Sequence, residues 1–184
     1  MNVIELPLEE RIKTKCSHLA VVSYADLVAT AGTAKTLQVF PYIARDIVDF
    51  AFFDLVKTFD GGATSELTVQ FGHNGVSVDD ADSLIPAKSI HEDGTEILAD
   101  AGGATAVDAG TVDGTYGAEE AAAINSMRVS LNQVLARRLA FQEAGYLELV
   151  FTSTGANLTA LTQGLIHVFF NVIRPTDVRP LSAP

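Results

Sequence analysis

The clearest pattern along the chain is a set of short apolar segments separated by turn-forming residues. Residues 47–58 are apolar at both odd and even positions, which predicts a β-strand covered on both faces. Residues 60–62 (Asp-Gly-Gly) then indicate a turn. Residues 66–71 alternate strictly between polar and apolar side chains, with Leu67, Val69 and Phe71 predicted to face inward. The two segments are predicted to form a hairpin.

Further strand-sized segments lie on both sides of this predicted hairpin. They are rich in β-forming side chains and comprise residues 19–24, 36–40, 85–90, 146–152 and 165–173. Pro41 restricts the second of them to an edge strand or a strand end, and residues 73–75 indicate a turn. Seven or eight short strands separated by turns favour a mainly β chain folded as an antiparallel sandwich or barrel.

Residues 92–145 depart from this pattern. Residues 92–117 are rich in Gly, Ala, Asp and Thr, which suits a long excursion at the surface. Residues 118–139 are the one helix candidate, because acidic residues open the segment and Arg137-Arg138 close it, although a strand over 127–131 competes. We therefore expect one β-sandwich domain over residues 17–173, in which 92–145 form a helix-containing insertion.

The two ends of the chain are interpreted as appendages. Residues 1–16 form an N-terminal arm that packs either on its own domain or on a neighbour, and residues 174–184, with three prolines, form a C-terminal tail. Apolar residues of the arm and phenylalanines on whichever strand face is not core are the candidates for interaction with other chains. These candidate interaction residues are Ile4, Leu6, Leu8, Ile12, Phe50, Phe52 and Phe169.

Charge and composition narrow the classes of function. The net charge of −11 disfavours binding to nucleic acid, and no apolar run approaches the roughly 18 residues that a membrane span needs. Only 19% of residues are charged, below the usual quarter, which weakly supports buried subunit interfaces. The lone cysteine, Cys16, allows no internal disulfide and is expected to be a small side chain, either buried or half-exposed.

The sequence contains no P-loop, GxGxxG, GxSxG or HExxH motif, so we expect neither an enzyme nor a cofactor. The four histidines lie far apart in sequence: His18, His73, His91 and His167. His91-Glu92 is a poor match to a cupin-like metal site. Asp79, Asp80 and Asp82 are a weak candidate for calcium, since carboxylate oxygens suit that ion, but an acidic loop is the preferred interpretation.

Several segments carry a likeness to known proteins. They are Ser23-Tyr24-Ala25-Asp26-Leu27-Val28, Thr36-Leu37-Gln38-Val39-Phe40, Phe59-Asp60-Gly61-Gly62, residues 65–72 and residues 150–159. Across residues 19–75 and 146–173 the chain resembles small structural proteins of tailed phages. The resemblance implies a capsid decoration (cement) or minor head protein with a jelly-roll-like fold, often trimeric. Residues 92–145 depart from that family pattern.

The sequence and the resemblance are therefore compatible with three functions. The first is a homotrimeric decoration protein on the outer surface of the virion capsid, made in the host cytoplasm, which stabilises the shell by binding the assembled major capsid protein. The second is a host-surface or glycan-binding module of a head fibre or tail tip, although the chain has no Trp to stack on sugars. The third is a cupin-like metalloenzyme. The expected partners are the major capsid protein and copies of the chain, without nucleic acid or membrane.

Overall fold

The computed structural model describes residues 1–29, 31–75, 79–91 and 139–175. These ranges contain two short α-helices, α1 (Leu8–Thr14) and α2 (Tyr24–Val28), and a 3-10 turn at Leu158–Ala160. The strands are β1 (Asn2–Glu5), β2 (His18–Ser23), β3 (Ala34–Tyr42), β4 (Ile47–Asp60), β5 (Glu66–Gly75), β6 (Asp79–Ser89), β7 (Leu139–Ala140), β8 (Gly145–Thr154) and β9 (Gln163–Ile173). The prediction of a mainly β chain is confirmed.

The strands form two antiparallel sheets, as a β-sandwich requires. The five-stranded sheet has the order β1-β2-β9-β4-β7 and the four-stranded sheet has the order β3-β8-β5-β6. Pairing is nested along the chain: β2 pairs with β9, β3 with β8, β4 with β7 and β5 with β6. This nested pairing is that of one long antiparallel hairpin folded over into two layers. Within the layers, β9 also pairs with β4, and β8 also pairs with β5.

The predicted hairpin between residues 47–58 and 66–71 is wrong. β4 belongs to the five-stranded sheet and β5 to the four-stranded sheet, so Gly61 and Gly62 carry the chain across the sandwich. Both glycines have positive φ angles, 153° and 60°. A turn sequence specifies that the chain reverses, but it does not specify whether the next strand pairs with the previous one or joins the facing sheet.

The core lies between the inner faces of the two sheets. Phe71 of β5 meets Phe170 of β9 with ring centroids 5.7 Å apart, and Phe59 of β4 lies 6.4 Å from Phe151 of β8. All four rings are fully buried, and burying each stabilises the fold by about 1.5–3 kcal/mol. Leu67 and Val69 are also buried, as their alternation predicted.

Gly164 allows one of these rings to lie against the backbone. It adopts a φ of +136°, and a Cβ built there would stand 2.2 Å from the ring of Phe59. Any side chain at this position would displace Phe59 and strain the backbone as well. This glycine at the start of β9 therefore fixes how the end of β4 packs in the core.

Residues 1–16 pack on their own domain, the first of the two alternatives for the predicted arm. β1 is the edge strand of the five-stranded sheet and pairs with β2 from Asn2↔Val21 to Glu5↔His18. The backbone N–H of Leu6 donates to Ser17 O at 2.8 Å, and the Leu6 side chain is buried. The N-terminal segment is thus a structural part of the sandwich.

Several local expectations change in the structure. Residues 73–75, predicted as a turn, lie within β5, because β8 pairs along their whole length. The acidic segment that begins at Asp79 opens β6 instead of forming a loop. At Tyr24 a strand was expected to continue, but a capping box between Ser23 and Asp26 starts α2 there.

The expectations for residues 92–145 are tested only in part. Residues 92–138 lie outside the described residues, and with them most of the helix candidate 118–139 and its competing strand. Leu139 begins β7 and Gly145 begins β8, so the last part of the predicted insertion belongs to the sandwich. Of the tail, only residues 174 and 175 are described.

Two smaller predictions are confirmed. Pro41 lies in β3, which is an edge strand of the four-stranded sheet, and Cys16 is buried. The described helices include none with the length and apolar character needed to cross a membrane.

A buried ion pair ties the entry of β4 to the end of β9. Asp46 is fully buried and receives three hydrogen bonds from Arg174: from Nε to Oδ1 at 3.1 Å and to Oδ2 at 3.3 Å, and from Nη2 to Oδ2 at 2.8 Å. Burial is the largest single influence on the Asp46 carboxyl and opposes its ionisation. The hydrogen bonds from Arg174 and from the backbone N–H of Ile43, with the charge of Arg174, together outweigh burial and lower its pKa.

We expect Asp46→Asn to reduce the free energy of unfolding at pH 7 by about 2–3 kcal/mol, because it leaves Arg174 without its anion. Since the pKa of Asp46 is lowered by folding, its contribution is present above the unfolded-state pKa of about 3.9 and is lost as the pH falls through the folded-state pKa. Urea unfolding across pH 7 to 2 should therefore show the gap between wild type and variant closing in acid. A gap that is constant with pH would contradict this assignment, and exposed Glu9→Gln serves as control.

Candidate interaction surface

The outer face of the five-stranded sheet carries a continuous row of apolar side chains. Strand register places Ile4 opposite Leu19, Leu19 opposite Phe169, and Phe169 opposite Phe52. Side chains alternate across a strand, and the residue that follows Phe169, Phe170, is buried in the core. These four residues, called the apolar row below, therefore face away from the core and span four strands, about 14 Å at the usual strand spacing.

Aromatic contacts hold the centre of the apolar row in a fixed arrangement. Phe52 and Phe169 are stacked with ring centroids 4.7 Å apart and planes 10° apart, and Phe50 meets Phe52 edge-on at 5.7 Å. All three rings are half-buried, and Ile4 at the sheet edge is 42% exposed. Such pairs favour these geometries beyond the area they bury, so the three rings form a fixed arrangement at the surface.

A polar rim borders the row on one side. In the next row of the outer face, Val21 pairs with His167 and His167 pairs with Asp54. His167 Nδ1 lies 3.9 Å from Asp54 Oδ2, and both side chains are 27% exposed. An apolar centre beside a partly solvated polar rim is the usual anatomy of a protein interface.

Helix α1 presents a second apolar feature, called the helical knob, formed by Leu8 and Ile12. These side chains are 73% and 71% exposed, and their spacing of four residues puts them on one side of the helix. The polar side holds the helix to the domain. Arg11 Nε donates to Leu6 O at 2.6 Å and the guanidinium also pairs with Glu5.

Within α1, Lys13 pairs with Glu9 and Glu10, each at 3.1 Å, and these carboxylates raise the pKa of the Lys13 ammonium. No residue of the helix is buried. The helix is therefore held by its ends and by polar contacts, while its two largest apolar side chains remain in solvent.

The structure brings most of the predicted interaction residues into these two features. Ile4, Phe52 and Phe169 lie in the apolar row and Phe50 touches it, whereas Leu8 and Ile12 form the helical knob. Leu6 is 5% exposed and packs inside its own domain, so it is not on the surface of the chain.

Leu19 and Val21 were not identified from the sequence. Every residue from 19 to 22 is apolar, so the sequence does not distinguish the inward from the outward positions of β2. The register against β9 makes that distinction in the structure, where Ala20 and Val22 are buried and Leu19 and Val21 lie on the outer face.

The weak calcium candidate gains no support. Among the described residues, no three His, Cys, Asp or Glu side chains lie close enough to hold a metal ion. Asp79 begins β6, and Asp80 and Asp82, two residues apart, hydrogen-bond to each other. That hydrogen bond, followed by burial and the Asp80 charge, raises the pKa of Asp82.

The histidines are dispersed in space as they are in sequence. His18 lies between Phe40 and Phe170, with ring centroids 4.5 and 5.3 Å away, and burial there lowers its pKa. His91, expected in a loop, is fully buried and bridges to Phe59 of β4. Its Nε2 stands 3.8 Å from Asp60 Oδ1.

The assignment of inner and outer faces is tested by two neighbouring phenylalanines. We expect Phe170→Ala to cost about 3–5 kcal/mol of unfolding free energy, because it leaves a cavity in the core. Phe169→Ala should cost about 1 kcal/mol, because its ring loses only surface stacking. Urea unfolding measures both, at a protein concentration low enough for the chain to be monomeric. Equal losses would show that the two faces are assigned wrongly.

Comparison with known proteins identifies no relative. No protein-family model, no curated protein and no solved structure matches the chain. The apolar row and the helical knob are therefore the main structural guides to the function of the chain.

Proposed function

We propose that the chain is a virion structural protein that decorates and stabilises a capsid shell. It binds the assembled lattice of a major capsid protein on its outer surface and does so as a homotrimer, with no catalytic role. The observation that carries this proposal is the apolar row of Ile4, Leu19, Phe169 and Phe52, held in register across four strands.

The strand order supports the proposal at the level of architecture. We infer that the nested pairing of β2 to β9 is a jelly roll, in which a long antiparallel hairpin rolls into two four-stranded layers, with β1 as an added edge strand. Jelly rolls occur in viral capsid proteins as well as in lectin domains and cupins. Fold alone does not select among these functions, so the selection rests on the surface.

The apolar row fits contact between sister subunits. A stacked aromatic pair beside Leu19 resembles the centre of an interface, where aromatic side chains are enriched and charges are depleted. Contiguous apolar patches on monomeric proteins are often functional. In the proposed trimer, each copy covers this face of its neighbour, and the polar pair His167–Asp54 lies at the rim.

The helical knob fits contact with the shell. Leu8 and Ile12 project from a helix that is held by its ends and by polar contacts, so they can enter a groove of another protein without disturbing the sandwich. A protein that binds only the assembled lattice stabilises it by mass action, by about 2.7 kcal/mol per site at a free concentration of 100 times Kd.

The charge of the chain fits the outer side of a particle. A net charge of −11 repels packaged nucleic acid, so an internal position would be unfavourable. The same charge keeps free subunits soluble before they bind. Association must then come from apolar contact, which is what the apolar row and the helical knob offer.

Self-association through the apolar row is tested by replacing Phe52 and Phe169 with threonine, which keeps the preference for a β-strand. Sedimentation velocity should find a trimer for the wild type and mainly monomer for the double variant. Val150→Thr, on the outer face of the four-stranded sheet, is the matched control and should remain trimeric. A wild-type chain that is monomeric at high concentration, or a variant that is still trimeric, would contradict the proposal.

Contact of the helical knob with the shell is tested by Leu8→Asp/Ile12→Asp. Capsid shells assembled without the protein are incubated with it and recovered by density-gradient sedimentation. We expect the wild type to saturate the shells and the variant to bind at least about tenfold more weakly, as for the loss of an interface anchor. Its unfolding free energy should be unchanged. Tyr146→Asp, which changes an exposed residue elsewhere, should bind normally; equal binding by all three would contradict the proposal.

A further inference from the structure

A cavity lies at one end of the sandwich, where β3, β5, β6 and β7 meet. Its volume is about 550 Å³, within the range of ligand-binding sites. It is lined by Tyr42, His73, Asp80, Leu139, Ala140, Phe141, Gln142 and Glu143. None of these residues belongs to the apolar row or the helical knob, so the cavity is a separate feature of the molecule.

The apolar part of the lining is formed by β7 and the residue that follows it. The rings of Tyr42 and Phe141 are stacked on each other with centroids 3.7 Å apart, and they are only 2% and 6% exposed. Leu139 and Ala140 add aliphatic surface. Because the faces of these two rings are stacked on each other, the described lining offers no open aromatic face on which a sugar ring could stack.

His73 directs a hydrogen-bond acceptor to this cavity. Its side chain is 7% exposed and its Nδ1 lies 2.8 Å from Ser83 Oγ. The Ser83 hydroxyl donates its one proton to Asp80 O at 3.0 Å, so it must accept from Nδ1–H of His73. With Nδ1 as the donor, the acceptor of the ring is Nε2, which has no hydrogen-bond partner among the described residues.

The carboxylates give the described lining of the cavity a negative charge. Asp80 and Glu143 contribute carboxylates, Gln142 contributes an amide, and the described lining includes no Lys or Arg. Together with Nε2 of His73, these groups are mainly acceptors, so they favour a ligand that donates hydrogen bonds and carries positive charge. The aliphatic part of the lining suits the methylene stem of such a ligand.

We propose that this cavity binds a lysine or arginine side chain presented by a partner protein. A cation on an aliphatic stem matches both halves of the lining, the carboxylates with His73 and the surface of Leu139 and Ala140. The chain itself has 12 Lys and Arg against 23 Asp and Glu, which favours a more basic protein as the source. The inference does not rest on the virion role, because it uses none of the same residues.

The test is an NMR titration of the isotope-labelled full chain with N-acetyl-arginine amide and N-acetyl-lysine amide. We expect saturable shifts at His73 and Phe141 that weaken with added salt, as they should for a charged ligand. Glu143→Gln and Asp80→Asn should each weaken binding about tenfold, the effect of one charge-assisted hydrogen bond. Glu9→Gln, which removes the same charge on α1, should bind as the wild type does.

Two neutral probes complete the experiment. N-acetyl-glutamine amide and maltose should give no saturable shift at His73. Binding of maltose in preference to the cationic probes would overturn the proposal in favour of a sugar site, and no shift at His73 with any probe would overturn it altogether. Loss of self-association in Glu143→Gln would identify a second copy as the source. Failure here leaves the lattice-binding result for the helical knob unaffected, so the two proposals are distinguishable.

Discussion

The pairing of β4 with β9 in the middle of the five-stranded sheet is the interaction on which the rest of the molecule depends. One face of this pair supplies Phe53 and Phe170 to the core, and the other face supplies the stacked Phe52 and Phe169 to the surface. Since successive residues of a strand point to opposite faces, a slip of one residue would exchange the two sets. Core and interaction surface are therefore specified by the same register.

Residues 47–58 are apolar at odd and even positions for two reasons: Phe50 and Phe52 lie on the apolar outer face, and an irregular register turns Val48 inward. The pairing shifts between Val48 and Phe50, so Val48 and Ala51 both face inward although one is even and the other odd. After this irregularity the inward positions are odd-numbered, and Ala51, Phe53 and Leu55 are buried. A bulge of this kind is not visible in sequence, because it arises from the match between two strands.

The sequence was sufficient for local features and insufficient for pairing. Alternation identified Leu67 and Val69 as core, and Pro41 identified an edge strand, because these signals come from single strands. The sheet that β5 joins, and the place of residues 2–5 beside β2, depend on contacts between distant segments. The same limit applies to the surface: Phe52 and Phe169 could be proposed as interaction residues, but only register aligns them with Leu19.

The apolar row, the helical knob and the cavity differ in chemistry and in position. The apolar row lies on the outer face of one sheet, the helical knob follows the edge strand β1, and the acidic cavity lies at the end near His73. Apolar surfaces suit partners that remain bound, whereas the cavity suits a single charged side chain. A subunit of a decorated shell needs contact with its sisters and with the lattice, and the two apolar features offer these separately.

The most direct measurement is an electron cryomicroscopy reconstruction of the purified virion at a resolution that reveals side chains. We expect this sandwich on the outer surface of the shell, with Leu19, Phe52 and Phe169 covered by a sister subunit and α1 against the capsid protein. A reconstruction in which the sandwich is present but the outer face of its five-stranded sheet lies in solvent would contradict it, as would a virion that lacks the protein.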